Sequence, residues 1–432
     1  MLISQCMIVR NEEKNIRKAL SWGRGIVDEQ IVVDTGSTDQ TVAIAKELGA
    51  AVYHFTWVDD FSAAKNFAIS KCTGDWICFL DADEYFAEED ANRLRETLSV
   101  IDGKILPIHG RRRRIDAIMT PLVNLTASHE ILNRVSQIRI FRRSERIRYS
   151  GKIHEVLMAQ GGGDLVGEKI DNMLTVYHTG YSWTPADGTR KEKGERNLAP
   201  ILEHLRKYPH DAMYHLYAAD AYNLLYDDSE SYRHAMLALA HADESRHPGI
   251  HVMGYQQALY SMYRLIASGR DMPIETVLAE YDNACRYAPD HPDFTIALGL
   301  CYSALHMHQK ARTTLERIPL IHDESYVVPP LSKIMPYLPL VYRALSEACM
   351  HEADLNAAVR YAMKLLEMNF YAVGSIGLLI TIFQKGDTSA SDILSFLLRL
   401  YSLDNKRDVA CLIEAFRSVG SIALAQLLLE KV

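Results

Sequence analysis

Gln30-Ile31-Val32-Val33-Asp34-Thr35-Gly36-Ser37-Thr38-Asp39 runs from an apolar, β-branched stretch into a cluster of small and acidic residues. Gln40 to Leu48 follows with helical apolar spacing, and Gly49 stands directly behind it. Thr38 or Asp39 supplies an N-cap and the glycine a C-terminal stop. Ala51 to Phe55 returns to a β-type run, so the stretch reads strand, turn, helix, strand. The alternation extends to both sides. Leu2 to Val9 is a β-type run ahead of the polar segment Asn11 to Leu20; Ser62 to Lys71 reads as a helix, and Trp76 to Leu80 as a fourth strand that runs straight into Asp81. Strands alternating with helices at this spacing imply a parallel α/β sheet. Ligands bind such sheets at the carboxyl ends of the strands, where the polar clusters at Asn11, Asp34 and Asp81 all fall.

The pattern changes near Thr184. Pro185-Ala186-Asp187-Gly188 punctuates the chain, and nearly everything beyond reads as helix with short turns, which predicts domains over 1–183 and 184–432. Ala297-Leu298 and Ala344-Leu345 lie 47 residues apart, and the intervals Cys301 to Ala311 and Ala348 to Ala358 are both ten residues. A related copy runs from Asp211 to Leu216 and Ala219, as Asp293 runs to Leu298 and Cys301. Small residues so placed let paired helices pack closely, and stacked pairs bury a continuous core. These segments resemble degenerate tetratricopeptide repeats.

The chain has 432 residues, enough for two or three domains, and Lys plus Arg total 47 against 55 Asp plus Glu, a formal charge of −8. That balance argues against general binding of nucleic acid or anionic membrane, which draws on clustered positive charge. The seven cysteines form no C-x-x-C pair and no zinc-type spacing, and read as reduced core thiols. Met1 to Val9 lacks the features of a signal peptide, and no run of about 18 uncharged apolar residues occurs, so a cytoplasmic protein without a transmembrane segment is expected.

Asp81-Ala82-Asp83 carries the chemistry. Two carboxylates just beyond a strand end offer hard oxygen ligands to Mg²⁺ or Mn²⁺, and such a metal can neutralise charge on a departing nucleoside diphosphate. An isolated D-x-D recurs by chance as a solvated turn, but this one has company. Val9-Arg10-Asn11-Glu12-Glu13, Val32 to Asp39, Asp60-Phe61-Ser62-Ala63-Ala64-Lys65-Asn66 and Phe79-Leu80-Asp81-Ala82-Asp83 occur in that order within the first 83 residues. The series resembles family 2 glycosyltransferases. The resemblance implies a GT-A fold, an α/β Rossmann-like nucleotide-sugar-binding sheet, with an all-α tetratricopeptide-like domain behind it. It also implies a UDP-sugar donor bound along Val9, Asn11, Asp34, Lys65, Asp81, Ala82 and Asp83. Asn11 and Asp34 would contact the nucleoside, although Thr35 stands where many relatives have a second acidic residue. Lys65 reads equally as a charge offered to a phosphate or the aspartates and as a solvated helix lysine; Phe61 and Phe67 read as core.

A second constellation is Tyr149-Ser150-Gly151-Lys152-Ile153-His154-Glu155, followed by Val176-Tyr177-His178-Thr179-Gly180-Tyr181. An inverting transfer needs a base for the acceptor's proton, and Glu155 and His154 are the two candidates. The Gly-x-x-His-Glu element is similar to a subgroup of family 2 enzymes with C-terminal tetratricopeptide-like domains, including those that glycosylate cysteine or serine of ribosomal peptides (glycocins). His178 is a third candidate metal ligand beside Asp81 and Asp83, with a strand-end histidine held by hydrogen bonds as the alternative. Arg111 to Arg114, with Arg139, Arg142, Arg143, Arg146 and Arg148, makes a locally basic region read by default as a solvated face. His204, His215, His234 and His241 share no metal spacing and read as structural.

The expectation is a metal-dependent inverting transferase that moves a hexose or N-acetylhexosamine from a UDP-sugar to a Cys, Ser or Thr side chain of a peptide or protein acceptor. The helical domain is the expected surface of any homodimer. The competing readings are a cell-envelope or polysaccharide transferase with a sugar or lipid-linked acceptor, and a non-catalytic repeat scaffold.

Overall fold

The computed structural model describes residues 1–432 except 109–110, 126–130, 162–164, 171–172, 180–188, 246, 248, 324–325, 327–328, 330–331 and 432. The chain forms two compact units, Met1–Arg206 and Lys207–Val432. The segment around Thr184 and Pro185, where the sequence pattern changes, lies outside the described residues.

The first unit begins β1 (Ile3–Val9), α1 (Ile16–Ser21), β2 (Glu29–Asp34), α2 (Thr41–Glu47), β3 (Ala51–His54), α3 (Phe61–Lys71) and β4 (Trp76–Phe79). It continues through β5 (Glu84–Phe86), α4 (Glu88–Asp102), β6 (Ile105–Ile108), β7 (Arg111–Arg114), β8 (Ala117–Leu125) and β9 (Ile131–Arg142). Then come β10 (Ile147–Ser150), β11 (Val156–Ala159), β12 (Gly167–Lys169), β13 (Val176–His178) and α5 (Thr189–Lys207). The main sheet has the order β3-β2-β1-β4-β9-β8-β13-β5, with β12 also on β8. Strands β3, β2, β1 and β4 are parallel, as the alternation predicts. Beyond β4 the sheet is mixed: β9 pairs antiparallel to β4 and to β8, and β5 antiparallel to β13, while β12 and β13 pair parallel to β8. The chain order explains the change, since only five residues separate β8 from β9, too few for the crossover that a parallel pair needs.

Helix α2 stops as expected, with Gly49 at φ +88°, a left-handed value open to glycine. Its N-cap is Gln40, and Asp39 Oδ1 accepts from the Thr41 amide instead of capping from the expected position. Apolar side chains fill both faces of the sheet, among them Trp76, Ile77, Cys78 and Phe79 of β4, each at most 1% exposed. A strand buried on both faces is what a central parallel strand requires.

The second unit is helical: α6 (Ala212–Leu224), α7 (Asp228–Ala240), α8 (Ile250–Ala267), α9 (Ile274–Tyr287), α10 (Pro292–Ala304) and α11 (His308–Leu315). It ends with α12 (Ile334–His351), α13 (Leu355–Met368), α14 (Val373–Lys385), α15 (Ala390–Leu397), α16 (Lys406–Ser418) and α17 (Ile422–Leu429). Helices pack on their sequence neighbours, and short turns make those neighbours antiparallel. The small residues meet here: Cys301 and Ala311, like Ala348 and Ala358, are fully buried in successive pairs. A Cβ on Gly299 would stand 2.4 Å from Leu315, so α10 and α11 come that close only with glycine at 299. Asp211 and Asp293 are not equivalent. The Asp211 side chain caps α6, whereas Asp293 lies fully buried inside α10 and accepts from Tyr260 Oη and the Lys333 amide. Of the seven free cysteines, six are buried and Cys285 is half-buried. No helix among the described residues is long and apolar enough to cross a membrane.

Candidate active site

Strand β4 delivers Asp81-Ala82-Asp83 to the carboxyl edge of the sheet, beside the end of β1, where the strand order reverses and a crevice opens. The crevice is a cleft of about 600 Å³ whose lining includes Val9, Arg10, Glu12, Lys65, Asp81, Ala82, Asp83, Asn124, Arg139, His154, Glu155 and His178. Residues Lys193, Arg196 and Asn197 of α5 line it as well.

Pairing register brings His178 to the acidic turn across 95 residues of sequence. In β13 it sits opposite Glu84 of β5 and opposite Asn124 of β8. Its Nε2 is 3.1 Å from Asp83 Oδ2, and its Nδ1 is 2.7 Å from Asn124 Oδ1. Asn124 thus fixes the ring, as an outer partner fixes a metal-ligating imidazole. Burial alone would lower the His178 pKa, but the Asp83 carboxylate outweighs it and raises it. Both sequence readings of His178 are met: it is a hydrogen-bonded strand-end histidine, and it touches Asp83.

Asp81 is drawn instead to a basic pair. Its carboxylate lies 3.2 Å from Lys65 Nζ and 3.5 Å from Arg139 Nη2. Burial opposes ionisation of Asp81, yet these two cations pull its pKa down to about 2. Lys65 also reaches Glu155, with Nζ 2.7 Å from Oε1. Burial would lower the Lys65 pKa, but Asp81 and Glu155 raise it, so the lysine remains charged although only 5% exposed. The solvated-lysine reading is therefore corrected: Lys65 is a buried bridge between two carboxylates.

The segment leading to His154 and Glu155 is fastened to α3 by four hydrogen bonds. The Phe61 amide donates to Lys152 O, Ser62 Oγ donates to Gly151 O, and Asn66 pairs with both the amide and the carbonyl of Tyr149. Asp60 starts α3 by accepting from the Ala63 amide, which places Lys65 and Asn66 one turn further in. His154 is exposed and holds φ +51°, outside the usual range for a residue with a Cβ.

Asn11 and Asp34 do not line the cleft, and their side chains are engaged in the turn. Asn11 Oδ1 accepts from the Thr38 amide, while Asp34 accepts from the Gly36 and Ser37 amides and lies 3.2 Å from His54 Nδ1. Phe61, read as core, instead lines the cleft, edge-on to Trp57 and beneath Arg196.

Several functional side chains escaped the sequence reading. Arg139, grouped there with a solvated basic face, has only 13% of its side chain exposed and donates to both oxygens of Glu84 at 2.7 and 2.6 Å. Arg142 likewise pairs with Asp102 and stacks over Trp76. The signal was the two-residue period of β9, which sends Val135, Gln137 and Arg139 to one face. Glu12, between the first two motifs, has its pKa pushed up to about 7 by burial, helped by the Asp83 and Asp81 charges. On α5, burial lowers the pKa of both Lys193 and Arg196, Arg196 repelling the lysine and Arg10 the arginine. Asn197 Oδ1 is buried with no hydrogen-bond partner among the described residues.

Residues 4–113 match the family model described as Glycosyl transferase family 2. A TPR repeat-containing protein of Synechococcus elongatus is 39% identical over 155 residues, 36% of this chain and 35% of that protein. The SPbeta prophage-derived glycosyltransferase SunS of Bacillus subtilis is 30% identical over 227 residues, 52% of this chain and 50% of SunS. The matches thus span between about a third and a half of the length of these curated relatives. A solved structure of glucosyl-3-phosphoglycerate synthase from Mycobacterium tuberculosis, in complex with Mn²⁺, UDP and glucosyl-3-phosphoglycerate, aligns with TM-score 0.21 and 23% identity over 29% of this chain and 44% of that one. The chain thus carries a segment that matches glycosyl transferase family 2 over residues 4–113 of its α/β unit, and a helical unit follows in sequence.

Proposed function

We propose that this protein is a metal-dependent inverting glycosyltransferase that moves a hexose or N-acetylhexosamine from a UDP-sugar to a Cys, Ser or Thr side chain of a peptide or protein. The observation that carries the reading is the contact of Asp83 with His178 at the floor of a cleft whose other walls carry Lys65, Arg139, Lys193 and Arg196. A carboxylate beside an oriented imidazole suits Mn²⁺, and Mg²⁺ less well because it favours oxygen ligands. Asp83 and His178 would hold the ion, with Asp81 at the same strand end. When bound, the ion neutralises charge on the nucleoside diphosphate as it leaves.

The remaining steps belong to the chain. Arg139 and Lys65 keep Asp81 ionised, and Lys65 places Glu155 at a fixed distance from the acidic turn. Lys193 and Arg196 are cations in a desolvated setting, so an anionic diphosphate arriving in the cleft relieves their burial cost. The unpartnered Asn197 Oδ1 is an acceptor for a sugar hydroxyl. The acceptor's nucleophile attacks the anomeric carbon from the face opposite the diphosphate, and its proton passes to Glu155, with His154 as the alternative base. The peptide acceptor is supported by the helical unit, since stacked helix pairs build extended concave surfaces that suit a chain of residues.

The test is a screen of nucleotide sugars for hydrolysis with and without Mn²⁺, followed by peptide transfer read by mass spectrometry. Metal-stimulated release of UDP and a hexose mass on a Cys, Ser or Thr are expected. Absence of turnover with every donor would favour the non-catalytic scaffold, and transfer only to sugar or lipid-linked acceptors would favour the envelope enzyme.

A further inference from the structure

The helical unit holds a cluster that sequence spacing hides. His210 stands in the turn before α6, His241 at the C-cap of α7, and Glu244 one short turn later. One ligand atom from each lies within 4.8 Å of the other two. The rings of His210 and His241 have centroids 4.3 Å apart, and His241 Nδ1 is 3.7 Å from Glu244 Oε1. His210 and Glu244 line a solvent-open cavity of about 550 Å³, so an ion has a path in. Behind His241 a second pair is buried: His215 stacks on it at 6.4 Å and lies 2.8 Å, Nδ1 to Nδ1, from His234. The other ring nitrogen of His215, Nε2, donates to Pro209 O, so the residue preceding His210 is itself anchored.

We propose that His210, His241 and Glu244 form a binding site for Zn²⁺ or a similar late first-row divalent ion, separate from the acidic site of the α/β unit. Two imidazoles and one carboxylate are a borderline-soft donor set that selects Zn²⁺ over Mg²⁺ and leaves a coordination position open to water or a partner's side chain. Tetrahedral coordination at about 2.0–2.1 Å requires ligand atoms about 3.4 Å apart. The ligand atoms already lie within 4.8 Å of one another, and His210 and Glu244 are exposed, which leaves their side chains room to rotate inward. The sequence reads His241 as structural because its partner is distant along the chain: the α6–α7 hairpin returns residue 241 to residue 210. The bound ion would tie the start of α6 to the end of α7 and so lock the first helical pair of the unit.

The test uses the full chain, stripped with a chelator and held in excess Mg²⁺, as wild type and as Asp83→Ala; the substitution removes the share of zinc that the Asp83–His178 pair could take. Zn²⁺ is titrated against a chromophoric chelator, and Co²⁺ is followed by its visible absorption. One zinc equivalent at micromolar affinity or tighter is expected, with Co²⁺ bands of a tetrahedral nitrogen and oxygen site. His210→Ala and His241→Ala should each weaken zinc about 100-fold, Glu244→Gln about 10-fold, and Asp83→Ala should leave this equivalent in place. Zinc at 100 times its dissociation constant should raise the helical unfolding midpoint by roughly 5 °C in the wild type. The proposal is overturned if no zinc is taken up in excess Mg²⁺, or if the His210→Ala/His241→Ala double variant binds it as the wild type does. Far-UV circular dichroism shows that the variants are folded, and the Co²⁺ spectrum of the wild type needs no variant.

Discussion

Lys65 Nζ is 2.7 Å from Glu155 Oε1 while also lying 3.2 Å from Asp81 Oδ1, so one buried ammonium joins the strand-end carboxylate to the loop that carries the candidate base. The Phe79 and Tyr149 rings pack edge to face on one side of the lysine, each with its centroid 5.2 Å from Nζ, and this apolar wall strengthens both attractions. Removing the ammonium would leave two carboxylates facing one another. Lys65→Met should destabilise the α/β unit by about 3 kcal/mol, the usual scale for stranding a buried charge. Urea unfolding of the two proteins measures this, and a difference below about 0.5 kcal/mol would show that the bridge is not a structural element.

For the metal site, Asp83→Ala should cut transfer by about 100-fold or more at saturating Mn²⁺, as the loss of other charge-stabilising groups does. His178→Ala removes the softer ligand, so it should shift the preferred ion from Mn²⁺ toward Mg²⁺ as well as slow the reaction. Asn124→Ala should weaken Mn²⁺ by about 10-fold while leaving both ligands in place, because the imidazole loses its orienting partner. Initial rates across a Mn²⁺ series separate the three, and unchanged metal dependence in His178→Ala would remove it from the ligand set.

The helical unit should be acid-sensitive through His234, which is 3% exposed and has its pKa pushed down to about 4 by burial, then by Arg233 and His215. The unfolded chain takes up this proton near pH 6.5 and the folded one only near pH 4, so the unfolded state binds more protons in between. Stability is therefore full above about pH 6.5 and is lost as pH falls toward 4, by on the order of 2 kcal/mol after allowance for solvent around the pair. His234→Gln should flatten that slope. Unfolding midpoints at pH 4.5 and 7.5 test it, and an equally steep loss in the variant would place the acid-sensitive group elsewhere.

The α/β order was legible because β1 to β4 carry their signals locally: apolar strands, a capped helix, a glycine stop and acidic strand ends. The antiparallel half was not, because β9 mixes apolar and basic residues, and the alternation that sends Arg139 inward resembles a solvated charged face until its partner is known. Glu84 is that partner, 55 residues away. The site shows the same limit. Asp81 and Asp83 are adjacent in sequence and readable, while the contacts that set their charge, from Lys65, Arg139 and His178, depend on strand register and helix docking. The His210, His241 and Glu244 cluster is a third case, since ligands on two different helices of a hairpin leave no compact spacing.

The base assignment turns on the difference between Glu155 and His154. Glu155 is inside the cleft wall with 14% of its side chain exposed, held by Lys65, and it can receive a proton only at the carboxylate edge that Lys65 leaves open. His154 is exposed and lines the same cleft. Glu155→Gln keeps the shape but removes the proton acceptor, and it should lower transfer to a hydroxyl acceptor by about 10² to 10⁴-fold, the ordinary contribution of a general base. With a cysteine acceptor the defect should shrink as pH approaches about 8.5, where solvent already supplies the thiolate that the base would otherwise generate. UDP-sugar binding should persist in the variant, since on the proposed reading Lys193 and Arg196 would hold the donor's diphosphate. The informative measurement is transfer against pH for matched Cys and Ser peptides, with Glu155→Gln and His154→Ala in parallel. A mild Glu155→Gln beside a severe His154→Ala would move the base to the histidine. Full activity in both would make the loop purely structural, its role then being to position Lys65 through the Phe61, Ser62 and Asn66 contacts.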